Sequence, residues 1–253
     1  MTTTLAHIWR HPIKSHGREA LGEVNLTPGQ TLPWDRHWAV AHARTKFDPA
    51  VPVWMPCANF ALGSSNPALM AIDATLDAAT ATVTLTHPDL APLQFAPDQA
   101  ADQARFLAWV VPLLPADKTP STQLVRVPGR GMTDTDYPSI SLCNLASNQA
   151  LGGYLGATLS PLRWRGNLWI DGLVPWAECS WPGQDIRIGD VVLRVREPIK
   201  RCKATAANPA TGIIDIDTLA GLRSHTGTQD FGVYAEVHQG GIIRLGDRVE
   251  VLA

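Results

Sequence analysis

One thiol, Cys202, lies among three cations in the run Glu197-Pro198-Ile199-Lys200-Arg201-Cys202-Lys203-Ala204-Thr205. Opposite charge favours the thiolate, the form that attacks electrophiles and binds metals. On spacing alone the residue reads equally as an idle, packed cysteine, because free Cys is among the most buried residue types. Lys14-Ser15 follows a proline-stopped strand. A Lys and a hydroxyl on a tight loop can hold phosphate or a similar oxyanion, or form a solvated turn. Asp35-Arg36 sits between Trp34 and Trp38 and reads as a structural pair within a sheet. Arg163-Trp164-Arg165-Gly166-Asn167 offers Arg and Asn to a planar heterocycle or a phosphate, or caps a strand.

Other chemistries are disfavoured. The four cysteines (57, 143, 179, 202) are far apart, with no CxxC spacing, which argues against a zinc site or a disulfide framework and suits a reducing cytoplasm. A metal site built on histidine is not expected either. GxGxxG, GxxxxGK[ST] and GxSxG elements are absent, so a Rossmann site, a P-loop and the usual hydrolase elbow are disfavoured. The net charge of −2 gives no global pull toward nucleic acid or an anionic membrane, so an anion must be held by a local cluster of cations. The first residues lack the apolar core of a secretory signal, and no run approaches the ~20 apolar residues of a membrane span.

Positioning these groups calls for a mainly β protein with a few short helices. The 253 residues allow one large or two modest domains, and 20 Gly with 20 Pro favour short strands and many turns over long helices. Strands are expected over 5–10, 20–26, 34–41, 69–73, 82–86, 93–95 and 191–195, from their branched and aromatic residues. The pattern predicts a helix over 98–111 capped by Asp98, and a second within 144–155 ended by glycines. Ile188-Gly189-Asp190-Val191 and Leu245-Gly246-Asp247-Arg248 read as two hairpins or sharp corners, the signature of a strongly bent sheet or a closed barrel.

Several short motifs occur in a telling order. They are Pro12-Ile13-Lys14-Ser15, Asp35-Arg36-x-Trp38, Arg165-Gly166-Asn167, Arg201-Cys202-x-x-Thr205, Asn208-Pro209-x-Thr211-Gly212, and Gly240-Gly241-Ile242 with Gly246-Asp247. In this order the chain resembles a MOSC protein with a MOSC N-terminal β-barrel domain, like the mitochondrial amidoxime reducing component and its bacterial relatives. The resemblance covers roughly 5–45 and 137–252. It implies an N-terminal β-barrel-like domain over 1–96, a helix and variable linker over 97–136, and a MOSC β-barrel over 137–253. It also implies the molybdenum cofactor, with Cys202 as metal ligand and catalytic residue; a soft thiolate suits such a centre. Lys14, Ser15, Arg36, Arg165 and Asn167 would hold the pterin and its phosphate, with Arg201 and Thr205 near the ligand. No pyridoxal phosphate is required.

The implied activity is reduction of N-hydroxylated bases and amidoximes, with electrons from a separate iron–sulfur, flavin or haem partner. The chain carries no motif for a redox group of its own. Its partners would be a small molecule and that donor, with no nucleic acid and no membrane. The expectation is that it works in the cytoplasm, without the iron–sulfur domain of some bacterial relatives or the membrane anchor of mitochondrial ones. Two other readings are a sulfur carrier with a persulfide on Cys202 and a cofactor carrier without turnover. One departure is local. Relatives often carry Arg-x-x-Pro after the third strand, whereas Thr45-Lys46-Phe47-Asp48-Pro49-Ala50-Val51-Pro52 has no arginine. Cys57 reads as a packed thiol.

Overall fold

A computed structural model describes residues 2–252. Strands β1 (Thr4–Arg10), β2 (Glu19–Leu21), β3 (Glu23–Leu26) and β4 (Ala39–His42) come first. A three-stranded meander follows: β5 (Asp73–Asp77), β6 (Thr82–His87) and β7 (Leu90–Phe95). Next are helix α1 (Ala100–Val110), β8 (Ser121–Val125), β9 (Ile140–Asn144) and helix α2 (Leu145–Leu155). The chain continues with β10 (Leu168–Asp171), β11 (Asp185–Ile188), β12 (Val191–Lys200) and helix α3 (Thr218–Thr226). It ends with β13 (Asp230–Gln239), β14 (Gly241–Arg244) and β15 (Val249–Leu252). Among the described residues the architecture is mainly β with three short α-helices, as the residue pattern predicts.

The largest sheet has eight strands in the order β15-β11-β12-β13-β9-β10-β1-β2. Its flanks meet, because Thr4 bridges Arg248 and the Leu5 N–H donates to the Asp247 carbonyl at 2.9 Å. The sheet therefore curls back on itself, as the bent-sheet signals lead one to expect. The corner at 189–190 is a tight hairpin between β11 and β12. The corner at 246–247 instead hands the chain from β14, which pairs with β3, to β15, which pairs with β11. Leu5, Ile8, Leu142, Ile170, Val195 and Val233 fill the interior.

A second core lies under the meander and α1. Alternation in β6 turns Val83 and Leu85 inward, where Phe95 and Phe106 stack with ring centroids 5.1 Å apart. Each fully buried ring of this kind contributes about 2–3 kcal/mol. Strand pairing and packing join the front, middle and back of the chain. β1 and β2 belong to the large sheet, β4 pairs with β8, and α1 packs on β7 and β8. No helix among the described residues is long and apolar enough to cross a membrane.

Several elements differ from expectation. The strand expected over 34–41 exists only from Ala39, because Trp34 and Arg36 take left-handed backbones that turn the chain. The run expected as one strand over 20–26 breaks at Gly22 into β2 and β3, which serve different sheets. Pro67 opens a 3-10 turn (Pro67–Ala71) where a strand was expected. Asp98 does not cap α1; its carboxylate accepts from the Trp38 indole at 2.9 Å and from Arg126 at 3.1 Å. Helix α3, absent from the sequence reading, is capped by the Asp217 side chain and ended by left-handed Gly227.

Candidate active site

Strand β1 ends at Arg10, and Pro12 turns the chain out of it. Ile13 then bridges both His16 and Trp38, closing a tight turn with Lys14 and Ser15 at its tip. Ser15 sits in the left-handed region at φ 63°. Lys14 is buried; its ammonium donates to the Met132 carbonyl at 2.8 Å and pairs with Asp134. Burial alone would raise the Asp134 carboxyl, but the cations of Lys14 and Arg36 hold it well below the usual carboxylate range.

The next turn supplies Arg36, at φ 51°. Its guanidinium pairs with buried Asp35 and donates through Nη2 to the Arg165 carbonyl at 3.0 Å. Asp35 also accepts the His11 backbone N–H at 2.7 Å, which fastens this turn to the first one. Arg165 itself lies at φ 49°. Its Nη2 donates to the Gly17 carbonyl at 3.0 Å, while its Nη1 is sealed from solvent without a partner among the described residues. Burial, then Arg36 and Arg18, push its guanidinium down to about 9. Ser15, Arg36 and Arg165 thus hold strained backbones around one space, a pattern that clusters at functional sites. The uncompensated cation is what an anionic ligand would relieve.

The third contribution follows β12. Arg201 points inward and ties the turn to the protein body. Nε donates to the Phe231 carbonyl at 2.8 Å, Nη1 to the Trp164 carbonyl at 2.8 Å and Nη2 to the Cys143 sulfur at 3.5 Å. It lies over the stacked Trp164 and Phe231 rings at 5.6 and 5.7 Å. Thr205 closes the turn by donating to the Cys202 carbonyl at 3.0 Å, and its hydroxyl also bonds Thr218 at 2.6 Å. The result leaves the Cys202 thiol exposed on a braced turn.

A cavity of about 440 Å³ gathers Lys14, Ser15, Arg36, Arg165, Arg201, Cys202 and Thr205 on its walls. Asn167 is the exception. Its carbonyl oxygen accepts from the Ser141 hydroxyl at 2.8 Å and its amide donates to the Trp9 carbonyl at 3.1 Å, so it clamps β9 to β1 behind the wall. Among the wall residues that the sequence reading did not single out are Asp134, Glu197 and Tyr234. Cys57 also faces the cavity instead of packing away. Its thiol donates to Asp134 at 3.2 Å, and burial, then the Asp134 carboxylate, push it up to about 11. Only the register of β12 and β13, and a contact between residues 57 and 134, reveal these groups. Among the described residues no three His, Cys, Asp or Glu side chains converge on a metal-sized point. A metal here would rest on Cys202 and on donors that its own cofactor brings.

The model of the MOSC N-terminal beta barrel domain matches residues 2–115, and that of the MOSC domain matches residues 134–250. The mitochondrial amidoxime-reducing component 1 of Xenopus laevis is 32% identical over 126 residues, 45% of this chain and 36% of that protein. The molybdenum cofactor sulfurase of Drosophila grimshawi is 37% identical over 94 residues, 37% of this chain and 12% of that protein. The chain therefore matches about a third or less of the length of these curated relatives. Among solved structures, the YuaD protein of Bacillus subtilis aligns over 99% of this chain and 96% of its own, at 12% identity and a TM-score of 0.47.

Proposed function

The chain belongs to the MOSC family, with the family's N-terminal beta barrel domain in front, and from that premise we propose that it is a molybdenum-cofactor-dependent reductase of N-hydroxylated bases and amidoximes. One observation carries the reading: the sealed, partnerless Arg165 Nη1 stands in the same cavity wall as the exposed Cys202 thiol. An anion-seeking cation and a soft donor suit a ligand that carries both a phosphate and a soft metal.

These residues fit the molybdenum cofactor. Arg165, Arg36, Lys14 and Ser15 would hold its phosphate and pterin, and the Cys202 thiolate would hold the metal. Arg201 and Thr205 hold the turn that presents that thiol. Bound there, the cofactor supplies the two-electron change that removes an oxygen from nitrogen. Electrons come from a separate iron–sulfur, flavin or haem carrier. The walls around Cys57, Asp134, Glu197 and Tyr234 bound the space left for the small substrate. The test is reduction of benzamidoxime by the molybdenum-loaded protein with dithionite-reduced methyl viologen. Formation of benzamidine supports the reading, and its absence from fully loaded protein refutes it.

Exposure of the Cys202 thiol also supports a second reading, in which Cys202 carries a persulfide to an acceptor. Metal-free protein with an added sulfur atom on Cys202, found by mass spectrometry, favours that carrier. Loaded protein that reduces nothing is a cofactor carrier.

A further inference from the structure

Strand β13 places Tyr234 opposite Glu197 on β12 and Ser141 on β9. Residues paired across a sheet share a face, and these three form one row along the cavity wall. Both flanking side chains are already engaged. The Ser141 hydroxyl donates to Asn167 at 2.8 Å, and Glu197 accepts the Tyr137 hydroxyl at 2.6 Å. Tyr234 has no hydrogen-bond partner for its own hydroxyl among the described residues. Nor is that oxygen sealed away, so it opens into the cavity. Burial first, then the Asp134 carboxylate, raise its phenol above the ordinary value, while Arg201 and Arg36 oppose them and Cys57 adds slightly. The hydroxyl therefore keeps its proton. The competing proton carriers are committed: Lys14 and Cys57 both donate to Asp134.

We propose that Tyr234 is the proton donor to the oxygen that leaves the substrate. The proposal rests on the reductase reading. Overall, R–NH–OH takes up two electrons and two protons and gives R–NH2 and water. The N–O bond breaks, and the departing oxygen takes the phenolic proton and leaves as water. A second proton reaches nitrogen from solvent, and solvent in the cavity returns the proton to the phenolate. The electrons come one at a time from the iron–sulfur, flavin or haem carrier. A positioned donor of this kind contributes about 10²–10⁴-fold in rate.

Tyr234→Phe keeps the ring and removes only a hydroxyl that no protein group uses, so the fold and the molybdenum content should persist. The first measurement is benzamidoxime turnover by loaded wild type and variant with reduced methyl viologen. The second is equilibrium binding of benzamidoxime and of benzamidine, which lacks the oxygen, to each oxidised, loaded protein. The expected result is a rate loss of at least 10²-fold, with affinity weakened about tenfold for benzamidoxime and unchanged for benzamidine. Incorporating 3,5-difluorotyrosine at 234, a more acidic phenol, should restore turnover and move the alkaline limb of its pH profile down. Wild-type turnover with an undiminished Tyr234→Phe rate overturns the proton donor alone. Equal weakening of both ligands also overturns it, as a packing effect. A loaded wild type that reduces nothing overturns the reductase reading, and the donor with it.

Discussion

Arg36 donates through Nη2 to the backbone carbonyl of Arg165 at 3.0 Å, across 129 residues of chain. Both residues take left-handed backbones, and both face the cavity that holds Cys202. One hydrogen bond thus joins the front of the chain to its back at the point where positive charge is concentrated. Arg165 Nη1 and Arg163 Nε are both sealed on that wall without a partner among the described residues, but Arg163 also pairs with Asp215, whereas Arg165 has no ion pair among them.

Arg165→Gln should therefore cut the molybdenum content of purified protein at least tenfold, because it removes the uncompensated cation. Thermal stability should hold or rise, since relief of a buried charge offsets the lost bond to the Gly17 carbonyl. Metal analysis beside a melting curve reads both effects.

Asn167→Ala should do the reverse. Its amide clamps β9 to β1 and lies behind the wall, so its loss should cost about 2 kcal/mol. The folded fraction should keep its molybdenum. Denaturant titration and metal analysis separate this outcome from direct contact with the cofactor.

Arg201→Lys should lower stability by about 2 kcal/mol, because a lysine cannot reproduce three directed bonds and a guanidinium over two rings. The Cys202 turn should loosen, and alkylation of its thiol by iodoacetamide should speed up several-fold.

Acid should destabilise the fold in a defined window. Burial pushes His16 down to about 4 from the ordinary 6.5, with its Nδ1 fixed on the Lys14 carbonyl at 2.8 Å. The unfolded chain therefore takes the proton first. Stability is full above about pH 6.5 and falls as pH drops from 6.5 toward 4, by on the order of 3 kcal/mol. Denaturant titrations across this range should show His16→Gln with a slope shallower by one proton.

How much of this was legible in the sequence depended on range. Local patterns placed β6, the end of β7 and helix α2, where Asn144 caps one end and left-handed Gly156 the other, but put the strand before β6 too early, at 69–73 instead of Asp73–Asp77. The Gly-Asp corners gave the sharp bends. The turn carrying Arg36 looked like a strand, because Trp34, Trp38 and Val40 have strand-forming side chains. Tertiary bonds to His11 and Arg165 overrode that preference. Tyr234 joins the wall through the pairing of β13 with β12, and Asp134 through contacts with Lys14 and Cys57, distances along the chain that no short window contains. Family resemblance collected Lys14, Ser15, Arg36, Arg165 and Cys202 but could not separate groups that face the cavity from Asn167, which braces it.

The central claim is that Cys202 holds molybdenum. Elemental analysis of protein from a molybdenum-replete host, as wild type and as Cys202→Ser, tests it most directly. The account predicts about one molybdenum per wild-type chain and little or none in the variant, with benzamidoxime turnover lost in parallel. Metal-free wild type, or a Cys202→Ser protein that keeps its molybdenum and its rate, would contradict it.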